Sequence, residues 1–237
     1  MDKPIVVNMF GGPGSGKSTI AAAVFSLLKM HDANAELITE FAKDLTWEER
    51  HRTLANQYYI WGKQHHRMWR LRDQVEVMVT DSPLILSLVY GEEKPACFNE
   101  TVLSSFNEFD NMNYFLMRTK KFNPKGRNQT EEEASILDYD ICMTLANNGI
   151  RYKMVEGSHK GVNDIAKRVL RRLKKKMVIE LIPKEGFFDW EDDRRNSIAV
   201  LHSDVVDADT HAKNLKKINK LKLIKPQTEN DIIALED

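Results

Sequence analysis

Cysteine is almost missing from this chain: Cys97 and Cys142 are the only two among 237 residues. Two thiols so far apart in sequence make no disulfide scaffold and point to a reduced, cytoplasmic protein. No CxxC pair and no Cys/His cluster occurs, which argues against structural zinc. Long apolar runs are missing too. The stretch nearest the start, Ile5–Phe10, is too short for a secretory leader and far too short to span a membrane. Nor is there an excess of charge, since 35 basic residues balance 35 acidic ones. That balance excludes a generalised polyanion-binding coat and leaves only local basic patches for such a role. Low-complexity segments and repeats of solenoid period are likewise absent.

What remains is an ordinary globular composition with a regular rhythm. Short β-branched runs at Ile5–Phe10, Ala35–Thr39, Glu76–Thr80, Tyr114–Arg118 and Arg151–Glu156 read as five buried strands. Between and around them lie helical patterns at Lys17–Met30, Thr46–Arg72, Leu84–Tyr90, Asn99–Asn107, Thr130–Asn147 and Asn163–Lys176. Thr46 and Glu49 have the spacing of a capping box, Glu131–Glu133 place acids in a first helical turn, and Gly149 sits just past a helix end. Strands alternating with helices imply βαβ units. With a glycine-rich G-x-x-x-x-G-K-[ST] loop at Gly11–Ser18 after the first strand, the expected fold is α/β, a three-layer sandwich of the P-loop NTPase type with a five-stranded parallel sheet, over residues 1–176. Residues 177–237 break the rhythm and form a small C-terminal appendage, with a strand at Met177–Ile182, an aromatic-acidic stretch at Phe187–Asp193 and a Lys-rich helix near Asp209–Ile224.

Glycine is concentrated where chemistry needs it. Gly11-Gly12-Pro13-Gly14-Ser15-Gly16-Lys17-Ser18 matches the G-x-x-x-x-G-K-[ST] loop, with a strand before it and a helix after it. Glycines let the backbone curl until several N–H groups point at one anion, where a Cβ would block the curl or the approach of phosphate. The helix that follows adds its positive N-terminus. Lys17 supplies a point charge for the β- and γ-phosphates of ATP, Ser18 a hydroxyl for Mg²⁺, and Thr19 continues the helix.

Ligands of open α/β sheets collect at the carboxyl ends of the strands, and two acids stand there. Glu40 follows the second strand and Asp81 the third. Asp81 either joins the Mg²⁺ shell and helps activate an acceptor or caps the Ser82-Pro83 turn. Glu40 either takes a proton from an acceptor hydroxyl or merely starts the next helix. A phosphorylated acceptor would be repelled by such carboxylates, whereas an alcohol gains a base. After the fourth strand, Lys120-Lys121-Phe122-Asn123-Pro124-Lys125-Gly126-Arg127 reads as a basic lid, with Arg127 suited to a bidentate grip on phosphate; the alternative is a solvated loop. In the long helix, Gln57 can hydrogen-bond a base edge, and Tyr58, Tyr59, Trp61 and Trp69 include candidates for stacking on a base. His65 and His66 are adjacent on that helix and cannot easily share one metal. The run from Lys167 to Lys176 reads as a solvated face or as a DNA backbone track.

These segments together resemble the P-loop kinases related to bacterial nicotinamide riboside kinase, a nucleoside kinase-like group. The resemblance rests on Gly11–Ser18, on Thr39-Glu40-Phe41-Ala42-Lys43, on Gln57, on Val79–Leu84 running into Leu88-Val89-Tyr90-Gly91, and on Gly126-Arg127. It implies ATP- and Mg²⁺-dependent phosphorylation of a hydroxyl on a nucleoside-like acceptor. Lys17 and Ser18 would serve ATP and Mg²⁺. Asp81 would be catalytic or metal-linked, Glu40 would face the acceptor with Lys43, Gln57 and Tyr58 nearby, and Arg127 would close over the phosphates. Bacteriophage kinases acting on 5-hydroxymethyluracil in DNA offer a second acceptor, and a nucleotide-hydrolysing switch or repair ATPase a third class of function.

Overall fold

The computed structural model describes residues 3–91, 94–119 and 130–174. The proposed lid at Lys120–Arg127, the end of the basic run at Lys175 and Lys176, and the whole appendage lie outside the described residues. Within them the chain runs β1 (Ile5–Phe10), α1 (Lys17–Met30), β2 (Ala35–Ile38), α2 (Phe41–Trp47), α3 (His51–Leu54), α4 (Gln57–Trp69) and β3 (Val77–Thr80). A 3₁₀ helix at Leu84–Leu88 follows, then α5 (Phe98–Asn107), β4 (Asp110–Met117), α6 (Glu131–Asn147), β5 (Lys153–Glu156) and α7 (His159–Arg172). The five strands form one sheet in the order β2-β3-β1-β4-β5, and every neighbouring pair is parallel.

Alternation along the strands explains the three layers. Ile5, Val7, Met9, Val77 and Val79 face α1 and α7 on one side of the sheet. Val6, Phe10, Met78 and Phe115 face α4, α5, α6 and the 3₁₀ helix on the other. Both faces are buried, so β1 and β3 read as nearly continuous apolar runs, broken only by Asn8 and Thr80.

Several boundaries differ from the sequence reading, each for a local reason. The predicted helix Thr46–Arg72 is three helices. Thr46 lies inside α2 and its hydroxyl donates to the Ala42 carbonyl at 3.1 Å, so it caps nothing and the capping box does not form. Glu49 adopts a left-handed φ of 57°, which ends α2, and Asn56 opens α4 by accepting from the Tyr59 amide at 3.1 Å. The capping box is real elsewhere: Thr130 accepts from the Glu133 amide while the Glu133 carboxylate accepts from the Thr130 amide. Strand β4 starts at Asp110, four residues before the predicted Tyr114. Its polar opening pairs with β1, and Asn8 Nδ2 donates to Asn111 Oδ1 at 2.8 Å and Asn113 Oδ1 at 3.0 Å. Buried amides that satisfy one another can sit in a sheet, where an apolar pattern cannot reveal them. The helix expected at Leu84–Tyr90 is a short 3₁₀ helix over Leu84–Leu88, and α7 begins at His159, before the predicted Asn163, ending at Arg172.

Helix α7 meets the sheet through Gly161, where a Cβ would collide with the Glu156 backbone carbonyl at the end of β5. A methyl there has to push the helix off the strand. Gly161→Ala is expected to cost roughly 2 kcal/mol, the scale of overpacking, and to lower Tm by about 5 °C. A thermal melt that showed stabilisation, as helix propensity alone would give, would remove this contact from the account.

Candidate nucleotide and acceptor site

The phosphate loop occupies the turn between β1 and α1. Gly14 and Gly16 have φ of 80° and 93°, left-handed values that glycine adopts without strain. Gly16 stands at the N-cap of α1 and offers no side chain to cap it, and no acid lies in the helix's first turn. The positive end of α1 is thus left for an anion. Lys17 Nζ folds back to donate to the carbonyls of Gly11 at 2.7 Å and Gly12 at 3.0 Å. Ser18 and Thr19 are exposed on the first turn, while Ser15 is buried with its hydroxyl unpaired.

Because β2, β3 and β1 are adjacent, their carboxyl ends bring Glu40, Asp81 and the loop to one edge of the sheet. Burial pushes the Lys17 ammonium below its ordinary range, against the pull of the Glu40, Asp138 and Asp81 carboxylates. Burial likewise pushes the Glu40 carboxyl up, with Asp81 adding to the rise and Lys17 and Lys43 opposing it. Glu40 is at the N-cap position of α2 but makes no capping hydrogen bond. Asp81 is buried and its Oδ1 has no partner. The Ser82-Pro83 turn is held by Thr80 instead, whose hydroxyl accepts from the Ser82 amide at 3.1 Å.

Helix α4 holds Glu40 from both sides. Arg67 donates to the Thr39 carbonyl at 2.8 Å and pairs with Asp44 at 2.7 Å. Gln64 Oε1 accepts from the Phe41 amide at 3.0 Å, which leaves its buried Nε2 without a partner. Of the proposed acceptor residues, Lys43 is exposed and acts on Glu40 through charge. Gln57 opens α4, is buried beneath Gly91, and donates to the Leu54 carbonyl at 3.2 Å. Tyr58 is 53% exposed, with its ring against Trp61 and Phe98. His65 and His66 stack on different rings, Trp61 and Trp69. A groove of about 360 Å³ between β2 and α4 is lined by Leu37, Ile38, Thr39, His66, Arg67 and Arg70. It contains none of the predicted site residues.

Three participants escaped the sequence reading as site residues. Tyr90 is held above its ordinary pKa by burial and feels Glu40, Asp138 and Arg118, so its ring stands beside the same centre. Asp138 accepts from the Gly12 amide and from Arg118 Nε, the latter at 2.8 Å. Arg118 also donates to the Pro13 carbonyl at 2.6 Å and the Ala134 carbonyl at 3.1 Å. The available signal was a carboxylate on the apolar face of α6: Asp138 shares that face with the buried Ala134, Ile141 and Cys142.

The donor set suits a nucleotide with Mg²⁺. A glycine cradle at a helix N-terminus, an exposed Ser18 hydroxyl and an unpaired buried Asp81 oxygen are what a phosphate-bridged, mostly hydrated hard cation requires. The pKa of Glu40 yields a stability prediction. Its folded-state pKa lies above the unfolded value of about 4.3, so carrying its charge opposes folding, and stability falls as pH rises through that window. Glu40→Gln removes the charge. Its Tm should exceed that of the wild type near pH 7, and the gap should close as the pH falls to about 4. Parallel melts that keep one difference at both pH values would contradict this.

No curated protein matches the sequence. Solved structures that resemble it include deoxyadenosine kinase from M. mycoides with dCMP and dCDP bound, at 16% identity and TM-score 0.44, over 71% of this chain and 98% of that one. The same kinase with dATP matches at 15% identity and TM-score 0.42, over 72% and 100%. Shikimate kinase from Bacteroides thetaiotaomicron follows at 14% identity and TM-score 0.37, over 72% and 98%. At family level the match runs over residues 6–161, from β1 into the first turn of α7. The chain belongs to the AAA domain family.

Proposed function

We propose that the protein transfers the γ-phosphoryl group of ATP to a hydroxyl of a small, nucleoside-like acceptor. The observation that carries this reading is Glu40: a carboxyl pushed towards a higher pKa, placed beside Lys17 and Asp81 at the carboxyl ends of adjacent strands. A general base works best with a pKa raised towards the working pH. In the proposed step Glu40 takes the acceptor's hydroxyl proton as that oxygen bonds to the γ-phosphorus. The bond from the γ-phosphorus to its bridging oxygen breaks, and ADP leaves. Lys17 and the amides of the loop and of the α1 N-terminus hold the phosphates in line. Ser18 and Asp81 would hold Mg²⁺, which when bound supplies positive charge to the β- and γ-oxygens. Lys43, Gln57 and Tyr58 are proposed for the acceptor side, and Arg127 for closing over the phosphates.

A polymeric DNA acceptor draws less support. Arg172 pairs with Asp110 at 2.9 Å and Arg168 with Asp164 at 3.2 Å, so part of the basic run is already neutralised. Asp110 lies opposite Ile5 at the amino end of the sheet, whereas the phosphate loop leaves the carboxyl end of β1. The Arg172 end of α7 therefore lies at the opposite end of the sheet from the phosphate loop.

The deciding experiment is a transfer assay with γ-labelled ATP against nucleosides, nicotinamide riboside, nucleotides, and DNA with and without hydroxymethylated bases. Label on a nucleoside hydroxyl is expected; release only as inorganic phosphate would favour a hydrolase. Lys17→Ala should fold normally by circular dichroism and transfer nothing. Glu40→Gln and Asp81→Asn should lose about 10²–10⁴-fold in kcat, with ATP affinity better preserved in the Glu40 variant. Unchanged kcat in Glu40→Gln would make that residue structural. Reversing the exposed Lys167 and Arg171 to Glu should leave turnover on a small acceptor unaltered. A steep loss of salt-sensitive DNA binding in that variant would instead promote the DNA acceptor.

A further inference from the structure

The phosphate loop is tied to helix α6 by a polar network that the proposed chemistry does not use. Asp138 is buried, and each of its oxygens has one partner: Oδ1 accepts from the Gly12 amide and Oδ2 from Arg118 Nε. Arg118, just past the end of β4, spends its other two nitrogens on the carbonyls of Pro13 and Ala134. One guanidinium thus joins the loop, the first turn of α6 and the Asp138 carboxylate. Sequence supports the contact, because Gly12 is where the two parts touch. A Cβ there would stand 2.6 Å from the Ala134 carbonyl, 2.9 Å from Arg118 Nη2 and 3.0 Å from Asp138 Oδ1.

The arrangement poses an electrostatic problem. A loop built to hold a polyphosphate has a buried carboxylate bonded to one of its own amides. Left alone, that charge would repel the ligand, and in a poorly screened interior the repulsion would be large. Arg118 stands against it as a salt bridge at 2.8 Å, with both side chains largely buried. The two charges are also felt together at Lys17, with opposite sign.

We propose that Arg118 and Asp138 form a charge-compensated clamp: Asp138 fixes the first half of the phosphate loop to α6, and Arg118 keeps Asp138 from repelling the bound triphosphate. Both are positioning residues. The clamp rests on the reading of Gly11–Ser18 as a nucleotide-phosphate loop, and it predicts a particular non-additivity. Removing Arg118 alone leaves a bare carboxylate at the loop. Removing the Asp138 charge as well relieves the repulsion, so the double variant should bind ATP better than the single one. An arginine that touched ATP directly would give no such rescue.

The test measures equilibrium binding of Mg·ATP to the full chain by calorimetry, for the wild type, Arg118→Ala and Arg118→Ala/Asp138→Asn. Hydrogen exchange of the peptide over residues 9–18 is followed without nucleotide. Arg118→Ala should weaken binding about ten-fold or more, the scale of a lost hydrogen bond to a charged group. The double variant should recover several-fold of that loss. Exchange in the loop peptide should rise in Arg118→Ala while the β3 peptide stays protected. If Arg118→Ala does not fold, Arg118→Gln with and without Asp138→Asn makes the same comparison with hydrogen-bonding side chains in place. A double variant no better than the single, or unchanged loop exchange, overturns the clamp while leaving the kinase reading intact. Failure of the wild type to bind Mg·ATP would sink the phosphate-loop reading, and the clamp with it.

Discussion

A phosphate loop has to be held firmly by contacts that leave its anion-binding side open, and much of this site follows from that constraint. The anchors fall on the loop's first half. Lys17 donates to the carbonyls of Gly11 and Gly12, Arg118 to that of Pro13, and Asp138 accepts from the amide of Gly12. The second half runs through the left-handed Gly16 to a helix terminus with no side-chain cap. The loop is gripped from the strand side and from α6, so the α1 N-terminus remains for the ligand.

The proposed acceptor side follows the same constraint, with helix α4 as its frame. Arg67 and Gln64 are three residues apart on that helix and therefore share a face. They bind the backbone on either side of Glu40, at Thr39 and at Phe41. Glu40 itself is left out of this bonding. A carboxylate that capped α2 would have its pKa lowered by the amides it accepted from. Supported at its neighbours instead, it keeps the raised pKa that burial gives it. Arg67 and Gln64 thus fix the backbone around Glu40 without bonding its carboxyl.

What was legible in the sequence was whatever is local along the chain. The loop, its strand and its helix are written in consecutive residues, and Glu40 and Asp81 follow from counting strand ends, since β2 and β3 were placed within a residue of their true ends. Boundaries failed where two local signals competed. Thr46 and Glu49 have the spacing of a capping box, but the helix had already begun at Phe41, and the box formed at Thr130 and Glu133. The polar start of β4 could not be found from apolar pattern, because Asn8, Asn111 and Asn113 satisfy one another only after the strands pair. Asp138 was missed for a similar reason. Its partner amide, Gly12, is 126 residues away, and only the packing of α6 on the loop brings them together.

Three carboxylates act on Lys17, and they are not equivalent. Asp138 is matched by Arg118 and committed to the loop. Glu40 and Asp81 have no ion pair of their own among the described residues, and both depend on Lys17 and on whatever binds. A dianionic acceptor brought within about 4 Å of one such carboxylate would face a repulsion on the order of 4 kcal/mol per charge pair at an effective dielectric near 20. A repulsion of that size would disfavour such an acceptor unless cationic side chains opposed it. A neutral hydroxyl meets no such barrier, and its proton is what a carboxyl of raised pKa can take. On the proposed reading, the unpaired carboxylates bear on the acceptor more directly than the phosphate loop does: the loop would take a triphosphate donor, and Glu40 and Asp81 would oppose a charged partner for it.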